Sequence, residues 1–387
     1  MDPQTLTELL DVSVLDRLDR IEDLPADELA RSSALRKEGY SAEVTAGLLT
    51  QAQLRKDAVK KLGPFAEDML FTRDGLAQAT RLPVAAHHAR RLLGEGKDTG
   101  GDADDTGESA DSAPTIADLG CGIGADSFAF AGMGAQVTAV DADEVTAAIA
   151  SFNLRHLANA SVEHARAEDI DTTDFDALWF DPARRTVGKG SKSGSTARIF
   201  DPEDFSPSLS WVIDKAIAAK AAGVKLGPAL DHSLIPDEAE AQWVSHAGEV
   251  VEVCLYFGTA RQRPGRSALV MGDRTLLVHE DDLPAEDEEG VGELGQYLLE
   301  PDGAIVRAGL VTALCGPLQA RRVHPKIPSL RKALISRGIG KVVIKKRGAD
   351  IVPDQVRRQL KLPAGDKATL VFTRLGDRHV VLLTQPC

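Results

Sequence analysis

Three glycines on alternate positions, Gly120, Gly122 and Gly124, stand between a short apolar run and an apolar helical pattern in Ala117-Asp-Leu-Gly-Cys-Gly-Ile-Gly-Ala-Asp126. A strand there must turn tightly into a helix. Glycine accepts the positive φ that such a turn can require and, lacking Cβ, lets a ligand approach the backbone. The unpaired amides at the helix start then face that ligand. The stretch predicts a cradle for a nucleotide-like cofactor.

The chain on either side predicts several parts, as its 387 residues suggest. Residues 1–93 read as an all-helical N-terminal domain, with apolar residues three and four apart in segments such as 42–54. The adjacent His87 and His88 point about 100° apart on a helix, so they are expected as surface or partly packed histidines and not as a metal pair. Residues 94–114 hold five glycines, seven acidic residues and nothing apolar larger than alanine, the composition of a disordered acidic linker. Strand and helix patterns alternate over residues 115–279, implying a doubly wound parallel sheet with its ligand at the carboxyl ends of the strands. Within it a helix is expected over 238–246, then strands over 250–257 and 267–271 that form an antiparallel hairpin at one edge. A second acidic linker, 280–295, precedes a compact α+β unit over 296–387 with a strand at 341–345, a helix at 353–360 and a terminal hairpin.

Four scattered cysteines without CxxC spacing support neither a zinc site nor a disulfide framework, so no metal is expected. No apolar run approaches membrane-spanning length and the first residues lack a secretory pattern, which points to a cytoplasmic protein. The oligomeric state is left open. The net charge of −14 conceals asymmetry, since residues 321–361 carry thirteen Lys or Arg against two Asp. That segment can meet an anion while the remainder repels one.

Acidic residues fall at four strand ends: Asp118, Asp141, Asp169 and Asp181. In a doubly wound sheet they line one crevice. Asp141 lies 19 residues after Gly122, where a carboxylate can accept hydrogen bonds from ribose hydroxyls. By spacing alone, Gly120-Cys-Gly-Ile-Gly-Ala125 also suits a nicotinamide dinucleotide.

Taken together, Asp-Leu-Gly-Cys-Gly-Ile-Gly124, Val140-Asp-Ala-Asp143, Ala-Glu-Asp169 and Phe180-Asp-Pro-Ala-Arg184 resemble the class I S-adenosylmethionine-dependent methyltransferases, a Rossmann-like fold whose last strand is antiparallel. The resemblance implies S-adenosyl-L-methionine as cofactor. It assigns the backbone of Gly120, Gly122 and Gly124 to the methionine portion with Asp118 as a nearby polar contact, Asp141 to the ribose and Asp169 to the adenine amine. Asp181-Pro182-Ala183-Arg184 stands where amino-group methyltransferases carry Asn or Asp, two prolines and an aromatic residue. Asp181 and Pro182 are thus implied to hold the acceptor, with Arg184 in place of the stacking aromatic, and Arg184 or Arg185 is expected to steer an anionic group. The C-terminal unit resembles the THUMP-like domain found behind bacterial methyltransferase domains, which implies RNA as partner and Arg321, Arg322, Lys345, Lys346 and Arg347 as phosphate contacts. The expected activity is methyl transfer to RNA, on a base amino group in the sharpest form. A non-catalytic RNA-binding protein that keeps the fold and a nicotinamide-dependent oxidoreductase are the alternatives.

Overall fold

The computed structural model describes residues 3–94, 113–183, 185–186, 197–198, 202–284, 291–292, 301–314, 322–323, 334–347, 353–375 and 378–384. The chain divides into two compact units, Met1–Leu277 and Val278–Cys387. Most of the expected linkers, 95–112 and 285–290 together with 293–295, lies outside the described residues.

The first unit opens with helices α1 (Pro3–Leu9), α2 (Val12–Asp19), α3 (Glu28–Lys37), α4 (Ala42–Leu62), α5 (Arg73–Gln78) and α6 (Leu82–Leu92). Side chains of Asp11, Asp27, Ser41 and Thr72 accept hydrogen bonds from the first amides of α2, α3, α4 and α5, satisfying donors that the helices leave unpaired. These helices do not form a core of their own. Leu9, Leu48, Leu62, Leu70 and Phe71 share one buried cluster with Ile123, Ala125, Val145 and Ile149 from beyond the glycine turn. The helical region is therefore an integral layer of the first unit, whereas the sequence suggests a separate domain.

Two side-chain amides tie it down. Gln51 donates to the Phe71 carbonyl at 2.7 Å and accepts from the Phe71 amide at 3.0 Å. Asn153 accepts from the Leu70 amide at 2.8 Å and donates to the carbonyls of Leu70 and Ile123 at 3.1 and 2.9 Å. The connector before α5 is thereby paired on both sides, as a buried backbone must be, and one of its clamps also holds the glycine turn.

The sheet follows, with β1 (Thr115–Leu119), α7 (Ala125–Gly132), β2 (Gln136–Asp141), α8 (Glu144–Leu154), β3 (Ala160–His164), β4 (Ala177–Phe180), α9 (Leu209–Ala218), β5 (Ala221–Leu226), β6 (Glu240–His246), β7 (Glu249–Gly258), β8 (Gly265–Met271) and β9 (Leu276–His279). Its nine strands run in the order β9-β8-β6-β7-β5-β4-β1-β2-β3. β1, β2, β3, β4 and β5 are parallel, and β7 is antiparallel to both neighbours. Successive residues of β4 serve opposite faces: Trp179 meets Phe130 of α7, and Phe180 meets Trp211 of α9. The division between units falls within β9.

Two expectations are corrected. Glu240–His246 form a strand where a helix was expected over 238–246. Glu240, Ala241 and Gln242 favour helix, but β6 pairs on both sides and six of its seven residues are buried, so no period of two marks it. Tertiary pairing overrides propensity there. Residues 267–271 do not form a hairpin with the preceding strand. The hairpin is β6–β7, joined by Ala247 and Gly248 at φ 52° and 79°, both left-handed as a tight two-residue turn requires. β8 pairs in parallel with β6 on the side away from β7, so β7 is the strand reversed against both of its neighbours.

In the second unit, α10 (Gly303–Ala308) precedes β10 (Ile339–Arg347), α11 (Pro353–Leu360), β11 (Asp366–Leu375) and β12 (Arg378–Thr384). β10 is parallel to β11, which forms the terminal hairpin with β12. Ile339, Val342, Ile344, Leu360, Ala368 and Leu370 make a small aliphatic core. No helix among the described residues is long and apolar enough to cross a membrane.

Candidate active site

A cleft of about 1070 Å³ opens in the first unit at the carboxyl ends of the central strands. Its floor is the glycine turn. Gly120, at φ 93°, lets β1 end against the β4 terminus; a Cβ there would sit 2.6 Å from the Asp181 carbonyl oxygen. The amides of Gly120 and Cys121 both donate to the Val140 carbonyl at 2.9 Å, which ties the turn to β2. Gly124, at φ 85°, caps the start of α7. Beside the turn, Asp141 accepts from the Gly122 amide at 3.0 Å and the Asp143 amide at 2.9 Å, one bond to each carboxylate oxygen. Burial pushes its pKa up to about 6, against those two amide bonds. Each oxygen retains acceptor capacity, so a vicinal diol can be met from a fixed carboxylate.

The helical region builds the opposite wall, with Thr5, Glu43, Gly47, Thr50, Arg73 and Gln78 among the lining residues. At the β4 end the lining continues through Asp181, Pro182 and Ala183 to Ser206 and Pro207. Ala183 and Ser206 exchange two backbone hydrogen bonds, of 2.9 and 3.3 Å. The cleft thus joins positive-φ backbone at a helix start, a carboxylate for hydroxyls and apolar lining at Val140, Val145, Ala165 and Ala167. Such a donor and acceptor set suits an adenosine-bearing cofactor.

The structure does not gather every residue singled out in the sequence. Gly120, Gly122, Asp141, Asp181 and Pro182 line the cleft. Asp169 is exposed and absent from the lining, whereas Glu168 contributes to it; the tight 3₁₀ turn Ala167–Asp169 sends consecutive side chains in different directions. Asp118 also stays off the lining and is buried under α7, where Ser127 donates to its Oδ2 and its Oδ1 has no hydrogen-bond partner. Burial, with Asp126 adding repulsion, pushes the Asp118 pKa up to about 8. Arg184 and Arg321 lie outside the described residues. Arg185, Arg322 and Arg347 are placed only by their strand backbone. Lys345 and Lys346 are exposed but consecutive on β10, hence on opposite faces of the strand.

At the floor of the cleft and beneath it lies a set of charged side chains that the sequence reading missed, of which Asp126 and Lys225 line the cleft together with Thr80. Lys225, on the fully buried β5, donates to Asp181 Oδ2 at 2.7 Å and to Thr80 Oγ1 at 2.7 Å, and its ammonium lies 3.8 Å from Asp126 Oδ2. Thr80 donates in turn to Asp126 at 2.6 Å. His88 is buried between Asp126, 2.8 Å from Nδ1, and Glu252, 2.6 Å from Nε2, with Cys254 Sγ 3.5 Å away. The 2.6 and 3.5 Å separations among His88, Glu252 and Cys254 are those of a hydrogen-bonded cluster. Burial opposes both cations, yet the adjoining carboxylates outweigh it and hold Lys225 and His88 above their ordinary pKa values. Burial likewise opposes ionised Asp126 and Glu252, and Lys225 and His88 reverse that effect, Lys225 leading at Asp126 and His88 at Glu252. The signal in sequence was a lysine inside Ala-Ala-Gly-Val-Lys-Leu226, a strand otherwise free of charge. His88 fits neither the surface nor the partly packed reading.

Comparison with known proteins agrees with this geometry. Residues 116–183 match a methyltransferase domain family, residues 322–386 a THUMP domain-like family, and residues 3–58 a domain of unknown function. Fold, glycine turn and these matches define the class: a Rossmann-like, S-adenosylmethionine-dependent methyltransferase carrying a THUMP-like domain. Among its relatives is an uncharacterized S-adenosylmethionine-dependent methyltransferase of Mycobacterium tuberculosis, found in strains CDC 1551 and H37Rv. It is 29% identical over 364 residues, covering 85% of this chain and 92% of the relative. A crystal structure of a candidate methyltransferase from Porphyromonas gingivalis W83 has the same fold, with a TM-score of 0.64 at 18% identity, covering 99% of this chain and 98% of that one.

Proposed function

We propose that the protein methylates RNA, with a base amino group as acceptor. One observation carries this reading: the Asp181 carboxylate and the Pro182 backbone meet the cleft at the end of β4, directly against the Gly120 turn. S-adenosylmethionine supplies an electrophilic methyl group when bound. The turn at Gly120 and Gly122 would hold its methionine portion, Asp141 its ribose hydroxyls and Glu168 its adenine end, with Gly124 and Asp118 supporting the turn from behind. Asp181 and the Pro182 carbonyl accept hydrogen bonds from a planar amine, which aims the nitrogen lone pair along the line of displacement. The α4 and α5 wall keeps water from the reacting atoms. Orientation of this kind is where the protein lowers the barrier.

RNA as the acceptor class is supported by the THUMP-like match and by the basic composition of residues 321–361. RNA nucleosides from a strain lacking the gene, compared with its parent, test the reading. One methylated nucleoside should vanish, return with the wild-type gene and stay absent with Asp181→Ala. An unchanged profile would leave a non-catalytic RNA-binding protein or a different acceptor.

A further inference from the structure

We propose that Lys225 is a positioning residue for the acceptor-holding carboxylate of Asp181, braced from behind by Thr80, Asp126, His88 and Glu252. The inference rests on the reading of Asp181 given above and adds the machinery that aims it.

Asp181 directly follows β4 and has 26% of its side chain exposed at the cleft, while Lys225 is 8% exposed. A side chain on a strand terminus can adopt several rotamers. The 2.7 Å bond from Lys225 selects one of them. Lys225 can do this only if its own ammonium is fixed, and the other contacts supply that. Thr80 Oγ1 accepts a second of its three donors, and Asp126 lies on the same side at 3.8 Å. Thr80 and His88 both hold Asp126, and Glu252 holds the far nitrogen of His88. From the cleft inward the charges alternate as Asp181, Lys225, Asp126, His88 and Glu252, so each is neutralised by the next.

The brace comes from five segments: β5, β7, the two helices α6 and α7, and the α5–α6 connector that carries Thr80. A shift in any of them would be felt at Asp181. Neutralising Lys225 with its bulk retained should let Asp181 swing without disturbing the glycine turn or Asp141. The loss should therefore fall on the transfer step and not on cofactor binding.

A double-mutant cycle tests this. Methyl incorporation into total RNA from the deletion strain is measured in single turnover with saturating labelled S-adenosylmethionine, and cofactor affinity by calorimetry. Lys225→Met should slow transfer by about tenfold or more while cofactor affinity stays within about threefold. In an Asp181→Asn background the same change should cost less than about twofold, because the carboxylate it aims is gone. Equal costs in the two backgrounds, or none in either, would overturn the proposal. Should Lys225→Met not fold, Thr80→Val removes the hydroxyl between Lys225 and Asp126 and keeps both charges; it is held to the same non-additivity with Asp181→Asn. A wild-type protein that binds the cofactor yet methylates none of this RNA would overturn the acceptor reading instead. Lys225 is then judged by the Lys225→Met crystal structure with S-adenosylhomocysteine, where an unmoved Asp181 carboxylate sinks the inference.

Discussion

The two units place their charges in opposite ways. Around the cleft of the first, Asp126, His88, Lys225 and Glu252 are buried and paired with one another. In the second, the core is aliphatic, and Lys341, Lys345, Lys346, Arg357 and Arg358 are exposed. Burial fixes a charge in direction and makes its removal costly, which suits aiming a reacting group. Exposure leaves charges hydrated and individually cheap to lose, which suits a polyanion met through many weak contacts.

The largest expected effect tests the buried side of this contrast. His88→Leu leaves Asp126 and Glu252 facing each other across an apolar side chain, and should cost about 3–5 kcal/mol in urea unfolding. The raised His88 pKa gives the pH dependence its sign. Its pairing contributes in full below the ordinary imidazole range, near 6.5, and is lost as pH rises through the higher folded value. Asp126 and Glu252, both lowered, contribute above the ordinary carboxylate range and lose their share as pH falls through their folded values. A loss under about 1 kcal/mol for His88→Leu would mean that the interior charges are no more costly to remove than surface ones.

Which parts of this contrast could be read from sequence follows from their physics. The glycine turn, Asp141 and Asp181 were legible because each is a local consequence: a left-handed turn demands glycine, and acidic residues at strand ends share one crevice. The alternating strands and the C-terminal hairpin were legible for the same reason. His88, Asp126, Lys225 and Glu252 lie on separate elements and converge only once the sheet order is set, so no spacing announces them. β6 was taken for a helix because, buried on both faces, it has no alternation to display. Asp169 was named for the adenine end, whereas Glu168 lines the cleft, because the local register of a 3₁₀ turn cannot be read without its backbone.

Asp141 is the intermediate case, a cleft carboxylate held by the backbone amides of Gly122 and Asp143. Asp141→Ala should weaken S-adenosylmethionine binding by about 1.5–3 kcal/mol, the range for hydrogen bonds to a charged group. With the pKa raised to about 6, the carboxylate is protonated below that value and loses acceptor capacity. Affinity measured by calorimetry should rise with pH through about 6 and level off above it, and Asp141→Asn should flatten that rise. A pH-independent wild type would mean that another group meets the ribose.

The smallest effects belong to the second unit, and they sharpen the contrast by face. On β10, Val342 and Ile344 point into the core, so Lys346 shares their side of the strand while Lys341 and Lys345 share the other. An RNA laid across the open side would meet Lys341 and Lys345 and miss Lys346. Lys341→Ala and Lys345→Ala should each reduce the slope of log affinity against log salt by about 0.7, the increment for one phosphate contact on a single strand. Lys346→Ala should leave the slope as it is, and all three should change unfolding stability by less than about 0.5 kcal/mol. Titrating a single-stranded RNA against each variant over a series of potassium chloride concentrations separates the outcomes. Equal slopes for all three variants would mean that the strand offers RNA no preferred face, and phosphate contact would then have to be sought outside β10.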